Sequence, residues 1–469
     1  MALAFRMLLL SAYESKETQM NEALSTKSSG TTQEQGEREL KQPELLERAD
    51  IRKRQVAIGV GNFMEWFDFA VYGYFAAIIG AQFFPSDNPA TEMLSAFAVF
   101  AVGFVARPVG ALILGPIGDR VGRKMVLVIT VMGMGITTAA IGLVPSYAAI
   151  GITAPILIVI LRCVQGMMVG GEWSSAATYL GESAPPKRRG LHASLVTSTA
   201  GGAFLVGTLT ATLLNAVMTE EALNAWGWRI PFVASVVMAI IALYIRRNLD
   251  DTPVFKELQE RRTNNTVVVA SRSRKLKAFA ISLAFSALFG VSLYYFVTYA
   301  NNHLSGAVGM PRVDALWVCS IATAYYVIIN PLIGRISDTT GRRPVILTGA
   351  AGITILGIPI FMLLNTGSFW PVLLGLMLLA TFVACAGVMA VTLLVEVFPA
   401  SSRSTGAALG HNIAYAILAG PGPLIAAALI QATGNLISPA YYLITVAGVA
   451  FLALFFALPE TKDADIAEG

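Results

Sequence analysis

The sequence predicts an all-α membrane protein with twelve transmembrane helices in two six-helix halves. Of its 469 residues, 55% are hydrophobic and only 13% are charged, whereas an average soluble protein carries about 25% charged residues. Apolar runs of about 20 residues, the length that crosses a bilayer, recur along the whole chain. Short sequence motifs of the first half also recur in the second half. Together these three observations favour a duplicated bundle of membrane helices.

The connections between the apolar spans alternate in charge. Lys and Arg collect in the connections after even-numbered spans, as in Arg120–Lys124 and Arg342–Arg343, and are rare after odd-numbered spans. Positively charged connections stay on the cytoplasmic side of a membrane. The alternation therefore predicts a multi-pass protein of the cell membrane with both termini in the cytoplasm. The predicted spans are 56–83, 92–117, 125–144, 150–176, 191–217, 229–248, 277–301, 314–336, 344–365, 370–394, 404–431 and 439–458.

The chain divides into two similar halves. Gly115–Lys124 follows the second span, and its counterpart Gly334–Arg343 follows the eighth span roughly 220 residues later. The first residues are rich in Glu, Gln, Ser, Thr and Lys, a composition typical of disorder. The predicted segments are a disordered cytoplasmic tail (1–50), a six-helix half (51–248), a cytoplasmic linker (249–276), a second six-helix half (277–460) and a short cytoplasmic tail (461–469).

The first span carries two carboxylates inside an apolar run. At about 100° per residue, Asn62, Glu65, Asp68 and Tyr72 share one side of the helix. Carboxylates in a membrane span are costly and face a protein interior or a water-filled path. Glu65 and Asp68 are therefore candidates for proton coupling. Alternatively, they form ion pairs with Arg107 or Arg162 that hold helices together.

The fourth span carries a second polar group. Arg162, Gln165 and Glu172 fall within roughly 80° of one another on a helix. The planar guanidinium of Arg162 suits a substrate carboxylate, although it could instead pair with Glu172 or Asp68. Arg107 in the second span could bind a substrate carboxylate in the same way. Alternatively, it serves helix packing beside Pro108. Glu172 joins the proton-coupling candidates, and Gln165 joins the candidates for substrate binding.

The second half offers aromatic side chains in place of buried charges. Aromatic faces hold a quaternary ammonium through cation–π attraction, and Trp66 and Trp173 would complete such a cage. Packing against neighbouring helices explains any single one of these rings equally well. The polar and aromatic candidates of the second half are Tyr294, Tyr295, Tyr299, Tyr325, Tyr326, Asn330, His411, Asn412 and Tyr415. Substrate contact is expected for Asn62, Trp66, Tyr72, Trp173, Tyr295, Tyr299 and Tyr326 together with the two arginines and Gln165.

Composition and motifs argue against several other classes of protein. An enzyme needs a nucleophile with a base, or a metal cluster, and the three His and three Cys form no such pattern. We therefore expect no catalytic residue, no metal and no cofactor other than the proton as coupling ion. The net charge of +4 comes from short loops and indicates membrane topology, so no nucleic acid is expected as a partner.

Several motifs resemble those of the major facilitator superfamily. They narrow the resemblance to its metabolite:proton symporter family and, within that, to the proline/betaine branch. The superfamily marks are Gly115–Lys124, Gly334–Arg343, Arg162–Gly166 and Pro459–Lys462. The marks of the narrower family and branch are Gly61–Gly73, Arg107–Gly110, Gly170–Glu172, Trp226–Pro231, Gly387–Ala390 and Asn435–Tyr442.

The resemblance implies a carrier whose two halves rock about a site near the middle of the membrane. It implies a conformational switch at Asp119, Arg123 and Lys124, with second-half counterparts Asp338, Arg342 and Arg343. The expected substrate is a small zwitterion such as proline or glycine betaine, taken up with a proton by a monomer in the lipid bilayer. Two alternatives remain: a symporter of di- or tricarboxylates, and a membrane sensor that does not transport.

Overall fold

The computed structural model describes residues 59–121, 123–183, 188–247, 271–390, 392–398 and 403–462. The predicted tail 1–50 and most of the predicted linker 249–276 lie outside this part. So do the side chains of five predicted functional residues, whose helices alone are described: Asp119, Arg123, Lys124, Glu172 and Trp173.

The described chain is a bundle of helices. In the first half, α1 runs over 59–74 and continues after Phe75 as Ala76–Phe83. The other helices are α2 (Pro89–Val105, continuing as Arg107–Val121), α3 (Arg123–Leu143), α4 (Thr153–Ser183), α5 (Arg189–Val217) and α6 (Ile230–Arg247), with short helices at Tyr147–Ile150, Glu220–Ala225 and Gly227–Arg229.

The second half contributes α7 to α12. Helix α7 begins at Arg272 and includes two π-helical turns, Tyr295–Tyr299 and His303–Ala307, on either side of Ala300–Asn302. The remaining helices are α8 (Arg312–Thr340), α9 (Arg342–Leu364), α10 (Phe369–Gly387, then Thr392–Val397), α11 (Arg403–Ala414, a π-helical turn Tyr415–Ala419, then Gly422–Thr433) and α12 (Ser438–Ala457).

These helices confirm the predicted fold class. Within the described residues, 11 helices are long and apolar enough to cross a membrane, and α1 supplies the twelfth span. Local sequence explains where helices start and turn. Asn88 caps α2 by accepting a hydrogen bond from the Ala90 amide at 2.9 Å, with Pro89 in the first turn. Gly341, at φ 105°, makes the tight reversal between α8 and α9.

Glycines let α2 and α4 approach at backbone distance. A Cβ atom added at Gly166 would overlap the carbonyl oxygen of Gly103, and one added at Gly170 would overlap that of Arg107. Small residues at such crossings drive helix association in membranes, where apolar side chains gain little from leaving lipid. The close approach brings the arginines of the two helices, Arg107 and Arg162, next to α1.

The two halves meet along a seam between α5 and α8. We call the end at which α5 and α9 begin, with Arg189 and Arg342, the basic end, and the opposite end the far end. Near the basic end, the amides of Gly190 and Leu191 donate to Asp338. Near the far end, the hydroxyls of Thr212 and Ser320 lie 3.5 Å apart. The halves therefore touch on both sides of the bundle's centre.

Other helices close the same two ends. Towards the far end, Asn302 Nδ2 of α7 donates to the Gly73 carbonyl of α1 at 2.9 Å. Towards the basic end, Asn412 Nδ2 of α11 donates to the Gly170 carbonyl of α4 at 3.4 Å. The centre of the bundle is thus enclosed between contacts at both ends.

Candidate functional site

Two fully buried arginines mark the centre of the bundle. Arg107 of α2 and Arg162 of α4 are each only 1% exposed. A buried cation is costly unless carboxylates, hydrogen bonds or aromatic faces stabilise it. The surroundings of the two arginines differ, and the difference separates the two acidic residues of α1.

Asp68 and Arg162 form a closed network within the first half. Arg162 Nη1 donates to Asp68 Oδ2 at 2.8 Å and to Gln165 Oε1 at 2.8 Å. Gln165 Nε2 in turn donates to Asp68 Oδ1 at 3.0 Å and to Thr138 Oγ1 at 2.8 Å. The guanidinium also lies 3.7 Å from the Tyr72 ring centroid. Both oxygens of Asp68 therefore accept hydrogen bonds from one compact cluster.

Glu65 and Arg107 form a looser pair. Their closest atoms, Glu65 Oε1 and Arg107 Nη2, are 3.8 Å apart, longer than a hydrogen bond. Nε and Nη2 of Arg107 donate no hydrogen bond within the described part of the chain. These two atoms form the side of a guanidinium that binds both oxygens of a carboxylate. Arg107 thus presents an unused bidentate donor edge at the centre of the protein.

Aromatic rings surround the Arg107 guanidinium. Its carbon lies 4.3 Å from the centroid of Phe104, 5.0 Å from Phe69 and 5.4 Å from Tyr415. Cation–π attraction operates over such distances. Further rings extend the group, with Tyr294 5.1 Å from Phe104 and 5.9 Å from Tyr415 between centroids. We call the group the central cage; it consists of Trp66, Phe69, Phe100, Phe104, Tyr294 and Tyr415.

Both halves build the central cage. Trp66 and Phe104 come from the first half, and Tyr294 of α7 and Tyr415 of α11 come from the second. The Tyr415 hydroxyl has no hydrogen-bond partner among the described residues, whereas the Tyr294 hydroxyl lies close to the Arg107 guanidinium. His411, one turn before Tyr415, stacks on that tyrosine ring with centroids 4.1 Å apart. The cage therefore combines apolar ring faces, polar hydroxyls and one cation at the boundary between the halves.

The remaining residues that were predicted to contact substrate lie outside the central cage. Asn62 links α1 to α5, because its Nδ2 donates to Thr199 Oγ1 at 3.0 Å and its Oδ1 accepts from Trp66 Nε1 at 2.8 Å. Tyr295 and Tyr299 belong to a separate cluster in the second half. The Tyr295 hydroxyl donates to the Pro439 carbonyl at 3.2 Å.

Tyr326 of α8 is also not part of the central cage. Its ring packs on Phe296 at 5.7 Å and against Gly201 of α5. Of the predicted substrate-binding residues, the structure thus brings Trp66 and Arg107 together in the cage. It places Tyr72, Arg162 and Gln165 in the Asp68 network.

Sequence reasoning did not select the cage phenylalanines. Phe69, Phe100 and Phe104 lie on the buried faces of α1 and α2. Phe69 is only one residue from Asp68, and Phe100 and Phe104 are one turn apart and precede Arg107. Their spacing alone is that of ordinary core residues. Tyr294 and Tyr415 are among the aromatic candidates of the second half, but the expected substrate contacts name Tyr295, Tyr299 and Tyr326 in their place.

A polar network closes the basic end. Asp338 accepts from the Gly190 amide at 2.8 Å and from Arg342 Nη1 at 2.7 Å. A carboxylate at a helix N-terminus is favoured by the unpaired amides and by the helix dipole. The predicted second-half switch residues Asp338 and Arg342 therefore lie on a contact between the halves.

The last described residues join that network. Glu460 accepts from the Arg342 amide at 2.7 Å and the Arg343 amide at 3.2 Å, which caps α9. Thr461 donates to Glu396 Oε2 at 2.7 Å. Glu396 also lies 3.7 Å from Arg342 Nε. Desolvation by burial raises the Glu396 pKa to about 7, although Thr461, Arg342 and Arg189 oppose the shift.

Comparisons with known proteins agree with this architecture. Residues 55–280 match the family model "Sugar (and other) transporter", and residues 283–468 match "Major Facilitator Superfamily". The chain is 34% identical to the glycine betaine/proline/ectoine/pipecolic acid transporter of Dickeya dadantii, over 88% of this chain and 84% of that protein. It is 35% identical to the proline/betaine transporter of Escherichia coli K12, over 87% of this chain and 83% of that protein.

Solved structures show the same fold. A D-xylose-proton symporter superposes with a TM-score of 0.69 at 18% identity, over 88% of this chain and 99% of that one. A partially occluded inward-open xylose transporter from E. coli gives a TM-score of 0.71 at 18% identity, over 88% of this chain and 99% of that one. Two helical halves around an enclosed polar and aromatic centre define a membrane transporter that works by alternating access. The chain belongs to the major facilitator superfamily and, within it, to the family of the proline/betaine transporters.

Proposed function

We propose that this protein is a proton-coupled symporter that imports a small zwitterion such as glycine betaine or proline. The observation that carries the proposal is the central cage, in which ring faces from both halves lie beside the donor edge of Arg107. Ring faces attract an ammonium group, and the donor edge suits a carboxylate. The names of the relatives in Dickeya dadantii and E. coli support the same class of solute.

Arg107 is the proposed carboxylate-binding residue because it lies between the halves. A substrate that is passed from one side of the membrane to the other must contact both halves of the carrier. Arg107 contacts Phe104 of α2 and Tyr415 of α11, whereas the described partners of Arg162 all belong to the first half. Arg162, together with Gln165, then serves to hold α1, α3 and α4 together.

Glu65 is the proposed proton carrier. It faces Arg107 at 3.8 Å, so a substrate carboxylate that binds Arg107 would compete directly with Glu65 for the same cation. Weakening that ion pair makes protonation of Glu65 easier. Substrate and proton would in this way bind together, which is what symport requires.

The dicarboxylate alternative needs a second cation at the substrate. Arg162 is the available candidate, because its Nε and Nη2 donate no hydrogen bond to the described residues. Its Nη1 binds Asp68 and Gln165 and its guanidinium lies on the Tyr72 ring, all in the first half, so no described contact places Arg162 at the boundary between the halves. We accordingly favour the zwitterion over citrate or α-ketoglutarate.

We further propose that the basic end faces the cytoplasm, with both termini on that side of the plasma membrane. The protein would work as a monomer and would need no cofactor besides the coupling proton.

Uptake into proteoliposomes tests the proposal. Labelled proline, glycine betaine, citrate and α-ketoglutarate are offered with and without an inward proton gradient. We expect uptake of the zwitterions that collapses when the gradient is removed. If the protein takes up only the acids, its substrate is a di- or tricarboxylate and not a zwitterion. Counterflow of none of these solutes by folded protein would favour the membrane sensor.

A further inference from the structure

The cation inside the central cage belongs to the protein itself. Arg107 lies between Phe69, Phe104 and Tyr415, with its guanidinium carbon 4.3–5.4 Å from the three centroids. These are the distances at which aromatic cages hold quaternary ammonium groups. Three of the six rings that would recognise a substrate ammonium are thus already engaged by an arginine.

A second cation cannot join the first at the same rings. Two positive charges a few ångströms apart repel strongly in a poorly hydrated space. Each ring face also accommodates one cation at contact distance. An ammonium group that enters the cage must therefore displace the Arg107 guanidinium from at least part of it.

The unused donor edge of Arg107 provides a way to move it. Nε and Nη2 make no hydrogen bond within the described chain, and the nearest carboxylate oxygen, on Glu65, is 3.8 Å from Nη2. A carboxylate bound at this edge by two charge-assisted hydrogen bonds would be stronger than the existing contact. It would stabilise the guanidinium in a position displaced from the rings.

We propose that Arg107 is an internal competitor for the cage, so that a ligand enters only by exchanging its own cation for the guanidinium. The ammonium of the ligand takes the ring faces, and its carboxylate takes the donor edge of the displaced arginine. This inference rests on the zwitterionic substrate proposed above. It assigns to Arg107 a role in selectivity: a ligand with an ammonium but no carboxylate cannot compensate the displaced arginine.

Tetramethylammonium is the probe that isolates this exchange, because it carries the quaternary ammonium without a carboxylate. Its binding to purified full-length protein is measured by titration calorimetry, and by the change in tryptophan fluorescence, to which Trp66 in the cage contributes. The wild-type protein should bind it weakly. Arg107→Met, which removes the internal cation, should bind it roughly tenfold more tightly or better, since desolvated cation–π contacts are strong.

Arg107→Met also leaves the Glu65 carboxylate without its arginine, and that charge alone would attract a cation. The double variant Glu65→Gln/Arg107→Met removes both charges and also guards against misfolding of the single variant. The gain in affinity should persist in the double variant. It should disappear when Phe104→Leu is added, because the ring faces then no longer surround the ligand.

Two results would overturn the exchange: equal tetramethylammonium affinity in the wild type and the double variant, or a gain that Phe104→Leu leaves intact. Failure of the proposed function would look different. If the wild-type protein takes up no glycine betaine while the double variant still gains tetramethylammonium binding, the substrate assignment fails and the competition at the cage stands.

Discussion

Glu65 and Asp68 lie on neighbouring turns of α1 and pair with different arginines. Asp68 accepts hydrogen bonds from Arg162 at 2.8 Å and Gln165 at 3.0 Å. Glu65 faces Arg107 at 3.8 Å beside the central cage. Both oxygens of the first carboxylate accept hydrogen bonds inside one half. The second lies where the halves and the substrate would meet.

Glu65→Gln and Asp68→Asn should consequently fail in different ways. Glu65→Gln removes the titratable group, so we expect counterflow exchange to survive while accumulation driven by a proton gradient is lost. Asp68→Asn leaves the buried Arg162 without a counter-charge, a change that costs roughly 3–5 kcal/mol of folding free energy. Thermal unfolding in detergent and the two transport assays on the same preparations separate these effects.

The opposite result would make Asp68 the proton carrier and Glu65 the structural partner of its arginine. If Asp68→Asn were stable and uncoupled, and Glu65→Gln still concentrated its substrate, Asp68 would be the proton carrier.

At this scale the sequence predicted the residue types and not their pairing. It placed two carboxylates on α1 and arginines in two other spans, and left open which would pair. The pairing depends on how α2 and α4 are rotated against α1, which no single helix encodes. The cage residues Phe69 and Phe104 were missed for a related reason: only their distance to Arg107 separates them from core phenylalanines.

Helix α7 shows why aromatic positions were hard to predict. Two π-helical turns, Tyr295–Tyr299 and His303–Ala307, add residues to their turns and so shift the direction of the side chains that follow. Tyr294 precedes the first π turn and joins the central cage. Tyr299 falls within that turn and lies against His303. A constant period of 3.6 residues therefore misplaces the side chains that follow each π turn.

The contact between α2 and α4 makes the clearest prediction at the scale of an element. Gly166→Ala adds a methyl group that would overlap the Gly103 carbonyl, so the two helices must separate. We expect a loss of stability of about 1–3 kcal/mol, and lower uptake because Arg107 and Arg162 shift together. Thermal unfolding and uptake assays measure the two effects.

Gly202→Ala in α5 is the matched control. A Cβ atom at Gly202 meets nothing within 4 Å, so this variant should retain both stability and uptake. Equal behaviour of the two alanine variants would show that the α2–α4 contact tolerates added volume.

On the scale of the whole molecule, the basic-end network connects the halves to the end of the chain. Asp338 binds the N-terminus of α5, while Glu460 caps α9 and Thr461 holds Glu396. The sequence predicted the repeated loop and its role as a switch. It did not indicate that residues 460–462 complete the same network, because that contact joins residues more than 100 positions apart.

Glu396 should make the closing of this end depend on pH. Its pKa is raised to about 7 when it is buried among Arg342, Arg189, Glu460 and Thr461, and should fall towards its ordinary value when the end opens to water. The closed arrangement therefore holds the proton more tightly and is favoured at low pH. Between the two pKa values, the ratio of closed to open protein should change by up to about tenfold per pH unit.

Distances between spin labels on the basic ends of α5 and α8, measured from pH 8 to pH 5, test this dependence. Acidification should shift the wild-type population towards the short distance. Glu396→Gln should stay near the closed population at every pH. A pH response that is unchanged in Glu396→Gln would assign the titration to another group.

The seam between α5 and α8 has a mechanical consequence. Its two end contacts, at Leu191 and Thr212 of α5, are about 30 Å apart along the helix, so a tilt around the midpoint acts through an arm of only about 15 Å. The lever arm is short, and the aperture is correspondingly narrow. Whatever the chemistry of the centre, we expect the lever alone to admit compact solutes and to exclude peptides and polymers.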